Sequence, residues 1–244
     1  MRIAILSDIH GNLEALQACL NELEKLRPDK VYCLGDIVGY GANPEECVYI
    51  VAQAGWQTVL GNHDAAVIDP SEMAPMNPMA RQALEWTAEN LSGHAKKFLK
   101  SLPLKISIND DTIASHGLPH SPSDWLYSDD PYAVLKAFLQ VPAKVMFVGH
   151  LHYAHSYKYE KASGKLMLFQ LPESLDMTEG RYIVNVGSVG QPRDDDHRSC
   201  LVIYDDSIPA VFYHRIQYDT ALAAKKIVDA GLPDILAQRL FLGR

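Results

Sequence analysis

Apolar and polar positions follow two different periods along this chain. Residues 2–7 form a short apolar run and predict a buried strand. Beyond Gly11-Asn12, the residues Leu13, Leu16, Leu20 and Leu23 recur at helical spacing, predicting a helix over 13–27 that stops before Pro28. Residues 31–34 predict a second strand. Asn43-Pro44 offers a cap and a proline at the first helical position, opening a helix to about residue 54, and 56–60 predicts a third strand. Strands alternating with helices in this way imply a parallel sheet with crossover helices.

Prolines at 70, 75 and 78 then break the pattern. Asn77-Pro78 starts a further helix with Ala80, Leu84, Thr87 and Leu91 on one face, and another helix follows over about 94–101. We expect 65–102 to be a helical insertion over one end of the sheet, either a cap or a plain connecting pair. Met73, Met76 and Met79 would then be a soft lid surface or simple packing. From Leu104 the grammar changes. Residues 105–108 and 112–115 flank Asn109-Asp110-Asp111 and predict a hairpin. A helix over 134–139, a strand over 144–148 and β-like runs at 154–159, 165–170, 181–186, 200–205 and 208–217 follow, and 219–230 and 233–241 are helical. The expectation is one α/β domain over 1–244, with one mainly parallel and one mainly antiparallel sheet.

Composition narrows the function more than the fold. At 244 residues with 48% hydrophobic content, the chain can bury a full core and is not a disordered protein. Its formal net charge of −8 argues against a nucleic-acid partner, because that binding rests on Lys and Arg replacing counterions. No apolar run reaches membrane-spanning length. Cys19, Cys33, Cys47 and Cys200 lie in apolar segments without metal-type spacing, which suggests reduced thiols and a cytoplasmic location.

Candidate chemistry sits at the ends of the predicted strands. Asp8-Ile9-His10 follows the first, Gly35-Asp36 the second and Gly61-Asn62-His63-Asp64 the third. Ser115-His116-Gly117 and Gly149-His150-Leu151-His152 follow two later ones. Ligands of α/β sheets bind beyond the carboxyl ends of the strands. Carboxylate and imidazole together suit Mn²⁺, Fe or Zn²⁺, and the lack of thiols among them argues against a structural zinc site. A single such fragment is weak; five in order are specific.

Those five blocks, with the run Gly35-Asp36-Ile37-Val38-Gly39-Tyr40-Gly41, resemble the calcineurin-like metallophosphoesterases, in particular their small bacterial branch. The resemblance implies a two-sheet mixed β-sandwich flanked by helices and a pair of divalent ions. Asp8, His10 and His152 would hold one ion, and Asn62, His116 and His150 the other, with Asp36 bridging. His63 would act as general acid and Asp64 would orient it. The implied reaction is attack by hydroxide on a phosphodiester or phosphoanhydride of a small molecule or nucleotide. A serine/threonine-type phosphoprotein phosphatase and a non-catalytic metal-binding scaffold are the rival readings. Ser188 and Arg193, in a Gly-rich segment at 185–193, and Tyr40 and Asn12, beside the ligand loops, are candidate substrate contacts. His94, His120, His155, His197 and His214 match no block and read as surface or polar-network residues. Oligomeric state is not legible.

Overall fold

A computed structural model describes residues 1–244. The first half runs β1 (Arg2–Leu6), α1 (Leu13–Leu26), β2 (Lys30–Cys33), α2 (Pro44–Ala54), β3 (Gln57–Thr58), α3 (Asn62–Ile68), α4 (Pro78–Asn90), α5 (Gly93–Lys100), β4 (Lys105–Asn109) and β5 (Thr112–Ser115). The second half runs α6 (Pro131–Gln140), β6 (Val145–Val148), β7 (Ala154–Glu160), β8 (Lys165–Gln170), β9 (Ser174–Asp176), β10 (Arg181–Val186), β11 (Ser199–Asp205), β12 (Ala210–Ile216), α7 (Thr220–Asp229) and α8 (Asp234–Leu242).

The strands form two sheets of six, ordered β3-β2-β1-β11-β12-β9 and β4-β5-β6-β10-β7-β8. Both are mixed. In the first sheet β1, β2 and β3 are parallel and β11 pairs antiparallel with β1. In the second, β5, β6 and β10 are parallel while β4 and β7 run against them. The expected division into a mainly parallel and a mainly antiparallel sheet is therefore corrected: each sheet has a parallel part and an antiparallel part that extends it.

Alternation along β1 explains the layering. Ile3 and Ile5 face the other sheet and pack with Phe147, Val184, Val202 and Tyr204. Ala4 and Leu6 face the opposite way and pack under Leu16, Cys19, Cys47 and Val51 of α1 and α2. On the far side of the second sheet, Met146, Val148 and Ile183 bury Val134, Ala137 and Phe138 of α6. The result is helix, sheet, sheet, helix. Arg181 fixes α6 by donating to the carbonyls of Phe138, Val141 and Ala143 at its C-terminal end.

The helices within 65–102 pack into the same layer as α1 and α2, with Val67, Met73, Leu84, Leu91, Ala95 and Leu99 buried in its core. Met73 is buried and Met76 packs against that core, so these two are packing residues. The helical stretch begins earlier than expected, at Asn62, because the Asp64 carboxylate accepts from the Gly61 amide and caps the first turn. The third strand is shorter than 56–60, since beyond Thr58 the Leu60 amide turns to the Pro103 carbonyl. Strand β9 has no counterpart in the predicted elements; it is a three-residue edge strand held by β12. No helix is long and apolar enough to cross a membrane. All four cysteines are free and buried.

Candidate metal centre

The parallel strands β1, β2, β5 and β6 end on one side of the molecule, and the loops after them turn abruptly. Ten residues other than glycine have positive φ, and six belong to these turns: Asp8 (56°), His10 (50°), Asp36 (50°), Tyr40 (61°), His150 (69°) and His152 (64°). The left-handed region is costly for side chains with a Cβ. Such strain persists only where the surroundings fix the backbone, as at functional sites. Here they do: the Asp8 amide donates to the Gly35 carbonyl, His10 to Asp36 and Gly11 to Ile37. The segment after β10 closes the other side, with Val189 donating to Ser7 and Gly190 to Asp8. A Cβ at Gly190 would lie 1.8 Å from the Ile9 carbonyl oxygen, so only glycine permits this approach.

These turns bring two groups of side chains together. Asp8, His10, Asp36 and His152 form one, and Asp36, His116 and His150 the other, with the ligand-type atoms of each group within 4.8 Å of one another. Asn62 joins the second group, its Oδ1 lying 3.1 Å from His116 Nε2. All seven positions expected as ligands therefore converge, and Asp36 stands in both groups. One Asp36 oxygen accepts from the His63 amide at 2.8 Å. The other lies 3.6 Å from His10 Nε2 and 3.3 Å from His116 Nε2.

The arrangement is chemically incomplete without a cation. His10 Nδ1 lies 3.0 Å from the Val38 carbonyl, and His152 Nδ1 lies 2.7 Å from the Gln191 carbonyl. A carbonyl can only accept, so in each neutral ring Nδ1 carries the proton and Nε2 carries a lone pair. These two lone pairs face each other at 2.9 Å. Asp8 Oδ1 is buried without a hydrogen-bond partner, 3.2 Å from His152 Nε2. Two inward imidazole lone pairs beside the unpartnered Asp8 Oδ1 and the Asp36 carboxylate fit a divalent ion. His116 Nδ1 likewise carries a proton, donated to the Leu34 carbonyl at 2.7 Å.

Electrostatics follow from burial and proximity. Burial by itself would raise the Asp36 carboxyl, yet His116 and His63 hold it well below the usual carboxylate range. Burial would likewise depress His116, but Asp36 and Asp8 overcome it and raise it to about 9. His150, buried and beside His116, is pushed down to about 3. Burial also drives His63 down to about 4.

His63 stands at the edge of the centre, its ring 4.8 Å from His10 and 4.6 Å from Tyr40. A Cβ at Gly39, where φ is +91°, would fall 2.4 Å from His63 Nδ1, so glycine there makes room for the ring. His63 Nδ1 is buried without a partner. This corrects the expectation for Asp64. Its carboxylate does not orient His63; it accepts from the backbone amides of Gly61, Ile37 and Val38. Burial and the nearby Asp36 raise Asp64 to about 7. Asp64 ties the β2 and β3 loops together.

Among the candidate substrate contacts, two are structural. Ser188 Oγ donates to the Asp8 carbonyl and accepts from the Gln191 amide, both at 2.9 Å, inside the fold. Asn12 accepts from the Ala15 amide to cap α1 and donates to the Gly190 carbonyl. Tyr40 packs against His10 at 4.7 Å, and the Arg193 guanidinium lies 5.6 Å from the Tyr40 ring, so these two do border the centre. His155 is in a buried polar network with the Tyr153 and Ser128 carbonyls, and His94 and His197 are exposed. Sequence reasoning missed the carbonyls that fix the rings, which carry no side-chain signal. It also missed the ion pair of buried Asp194 with Arg215, which anchors the loop beside Arg193.

Comparisons with known proteins bear on the family and the fold. An uncharacterised protein of Methanocaldococcus jannaschii is 40% identical over 245 aligned residues, covering 99% of this chain and 98% of that protein. A metallophosphoesterase structure from Sphaerobacter thermophilus superposes with TM-score 0.89 at 38% identity, over 100% of this chain and 99% of the other. A hypothetical protein structure from Pyrococcus horikoshii shares the fold with TM-score 0.79 at 21% identity, over 100% and 98%. The calcineurin-like phosphoesterase superfamily domain matches residues 1–207, and the chain belongs to that superfamily.

Proposed function

We propose that this chain is a dinuclear metal-dependent phosphoesterase that hydrolyses phosphodiester or phosphoanhydride bonds in small-molecule or nucleotide substrates. The observation that carries this reading is the Asp36 carboxylate between two imidazole clusters, one of them with its ring lone pairs fixed inward. Asp8, His10, Asp36 and His152 would hold one ion, and Asp36, Asn62, His116 and His150 the second. Bound Mn²⁺, Fe or Zn²⁺ supplies Lewis-acid charge to phosphoryl oxygens and acidifies a nucleophilic water.

The chain's own groups do the rest. Arg193 reaches the mouth of the centre and can fork onto a non-bridging phosphate oxygen. His63 is the proton donor. In the free protein burial holds it neutral at pH 7, and the negative charge of a bound phosphoester favours its imidazolium form. A water that has given one proton to solvent bonds through its oxygen to phosphorus as the bond to the departing oxygen breaks, and that departing oxygen takes its proton from His63. Tyr40 packs against the ring, and Gly39 leaves room for it. Four buried free thiols fit a reducing compartment, and we place the enzyme in the cytoplasm.

The test is metal analysis of the purified protein joined to a substrate panel. About two ions per chain, with hydrolysis of bis-p-nitrophenyl phosphate or diadenosine tetraphosphate, is the expected result. Cleavage of phosphoserine peptides alone would move the assignment to a protein phosphatase. Hydrolysis that survives Asp36→Asn unchanged would refute the centre.

A further inference from the structure

Beside the metal centre lies a cavity of about 600 Å³ that the proposed chemistry does not use. Tyr127, Leu151, Tyr153, Tyr157, Leu168 and Arg193 line it. Its size falls within the roughly 300–1,000 Å³ of small-molecule sites. Three observations connect it to the centre. Leu151 stands between His150 and His152 in the same turn. The Tyr127 ring stacks on His150, with centroids 4.1 Å apart and planes 11° from parallel. Arg193 borders both spaces, its amide donating to the His152 carbonyl at 3.0 Å.

The lining has a definite chemistry. Three tyrosines and two leucines offer flat apolar surface. Tyr127 and Leu168 are left 47% and 45% exposed, more than large apolar rings and chains favour when a partner is available. His155 lines the wall, but both its ring nitrogens face backbone carbonyls, at 2.9 and 3.0 Å, so it presents carbon to the cavity. The remaining polar side chains are Asp129 and Gln170. A plain aryl ring would cover that carboxylate without giving it a donor, which is costly. A heterocycle with N–H groups on its edge stacks on the tyrosines and also satisfies Asp129 and Gln170.

We infer that this cavity binds the base of a nucleoside phosphoester whose phosphate lies at the metal centre, with Arg193 at the junction. The inference rests on the phosphoesterase reading for the phosphate and on the cavity lining for the base.

Calorimetry on the manganese-loaded protein tests it, with adenosine 5′-monophosphate, guanosine 5′-monophosphate, ribose 5-phosphate and phenyl phosphate as ligands. One or both nucleotides bind about tenfold or more tightly than ribose 5-phosphate, the size expected of one base stacked on aromatic side chains, and more tightly than phenyl phosphate. Tyr153→Leu and Leu168→Gln are both neutral in charge, and Leu168 is exposed, so its variant keeps the fold. Each lowers nucleotide affinity by roughly threefold or more and leaves ribose 5-phosphate unchanged. Equal binding of nucleotides and ribose 5-phosphate overturns the inference. So does phenyl phosphate binding as tightly as the nucleotides, or a preference that both variants retain. Hydrolysis of bis-p-nitrophenyl phosphate in the same preparations separates the two readings. Hydrolysis without base preference overturns the base site alone. Base preference without hydrolysis overturns the phosphoesterase and leaves the base site standing.

Discussion

Replacing Asp36 by glycine and by alanine, in separate proteins, tests whether the ligand turns hold strain. Both substitutions remove the carboxylate and its bond to the His63 amide, so those losses cancel in the comparison. What remains is the backbone, with φ of 50° at this position. A Cβ in the left-handed region costs roughly 1–2 kcal/mol. Glycine gives back about 0.4–1 kcal/mol of that through the greater freedom of its unfolded chain. Taking the middle of each range, the Asp36→Gly protein exceeds Asp36→Ala in stability by about 0.8 kcal/mol, or roughly 2–3 °C in Tm for a chain of this size. Urea denaturation with a chelator present is the assay, since residual metal would confuse the comparison. Gln17, exposed in the middle of α1, is the control. There the order reverses, with glycine less stable than alanine by about 1 kcal/mol. If Asp36→Ala equals or exceeds Asp36→Gly while the control behaves, the turn is not strained and the reasoning fails.

Four further outcomes follow from the same structure. Chelation lowers the thermal midpoint of the wild type, and Mn²⁺ at 100–1,000 times its dissociation constant restores about 2.7–4.1 kcal/mol; a scan in which Asp36→Asn responds as strongly as wild type would count against the site. His63→Gln lowers kcat by about 10²–10⁴ with metal content unchanged, and a loss of bound metal instead would make His63 a ligand. Ser188→Ala removes two buried hydrogen bonds, each contributing about 0.5–1.5 kcal/mol, so denaturation shows it less stable while KM stays constant. Arg215→Met leaves the Asp194 carboxylate buried and unpaired, which costs about 3–5 kcal/mol; a loss under about 1 kcal/mol would show that the pair is not structural.

The convergence of the seven positions was readable because their residue types are hard to justify by packing and each follows an apolar run. The layer order came from the family resemblance; the all-apolar run Ile3-Ala4-Ile5-Leu6 says only that both faces are buried, and the structure shows each face burying a different partner. Ser188 and Asn12 were misread for one reason: a short polar side chain beside a ligand loop looks the same in sequence whether it faces substrate or satisfies backbone. Here Ser188 gives the Asp8 carbonyl a second donor beside the Gly190 amide, and Asn12 donates to the Gly190 carbonyl. Asp64 follows the same logic, since three loop amides compete with His63 for its carboxylate and win. The aromatic cavity had no signature because Tyr127 and Leu168 come from segments with no shared period.

The strain and the inward lone pairs are two expressions of one geometric demand. Residues two apart on an extended strand share a face, with Cα atoms about 7 Å apart, so Asp8 and His10 would already lean toward one site there; the structure brings them closer. Turning both residues left-handed shortens the path and points both at the same place, 3.8 Å apart at His10 Nε2 and Asp8 Oδ1. The same solution recurs at His150 and His152. A glycine would make either turn without strain but would carry no ligand atom. The backbone cost is thus inseparable from the donor set, and it is held in place by the carbonyls of Val38, Gln191 and Leu34 that orient the rings. Weakening that support, rather than the ligands themselves, is the route by which a distant change such as Arg215→Met would reach the chemistry: Asp194 sits three residues beyond Gln191, whose carbonyl holds His152.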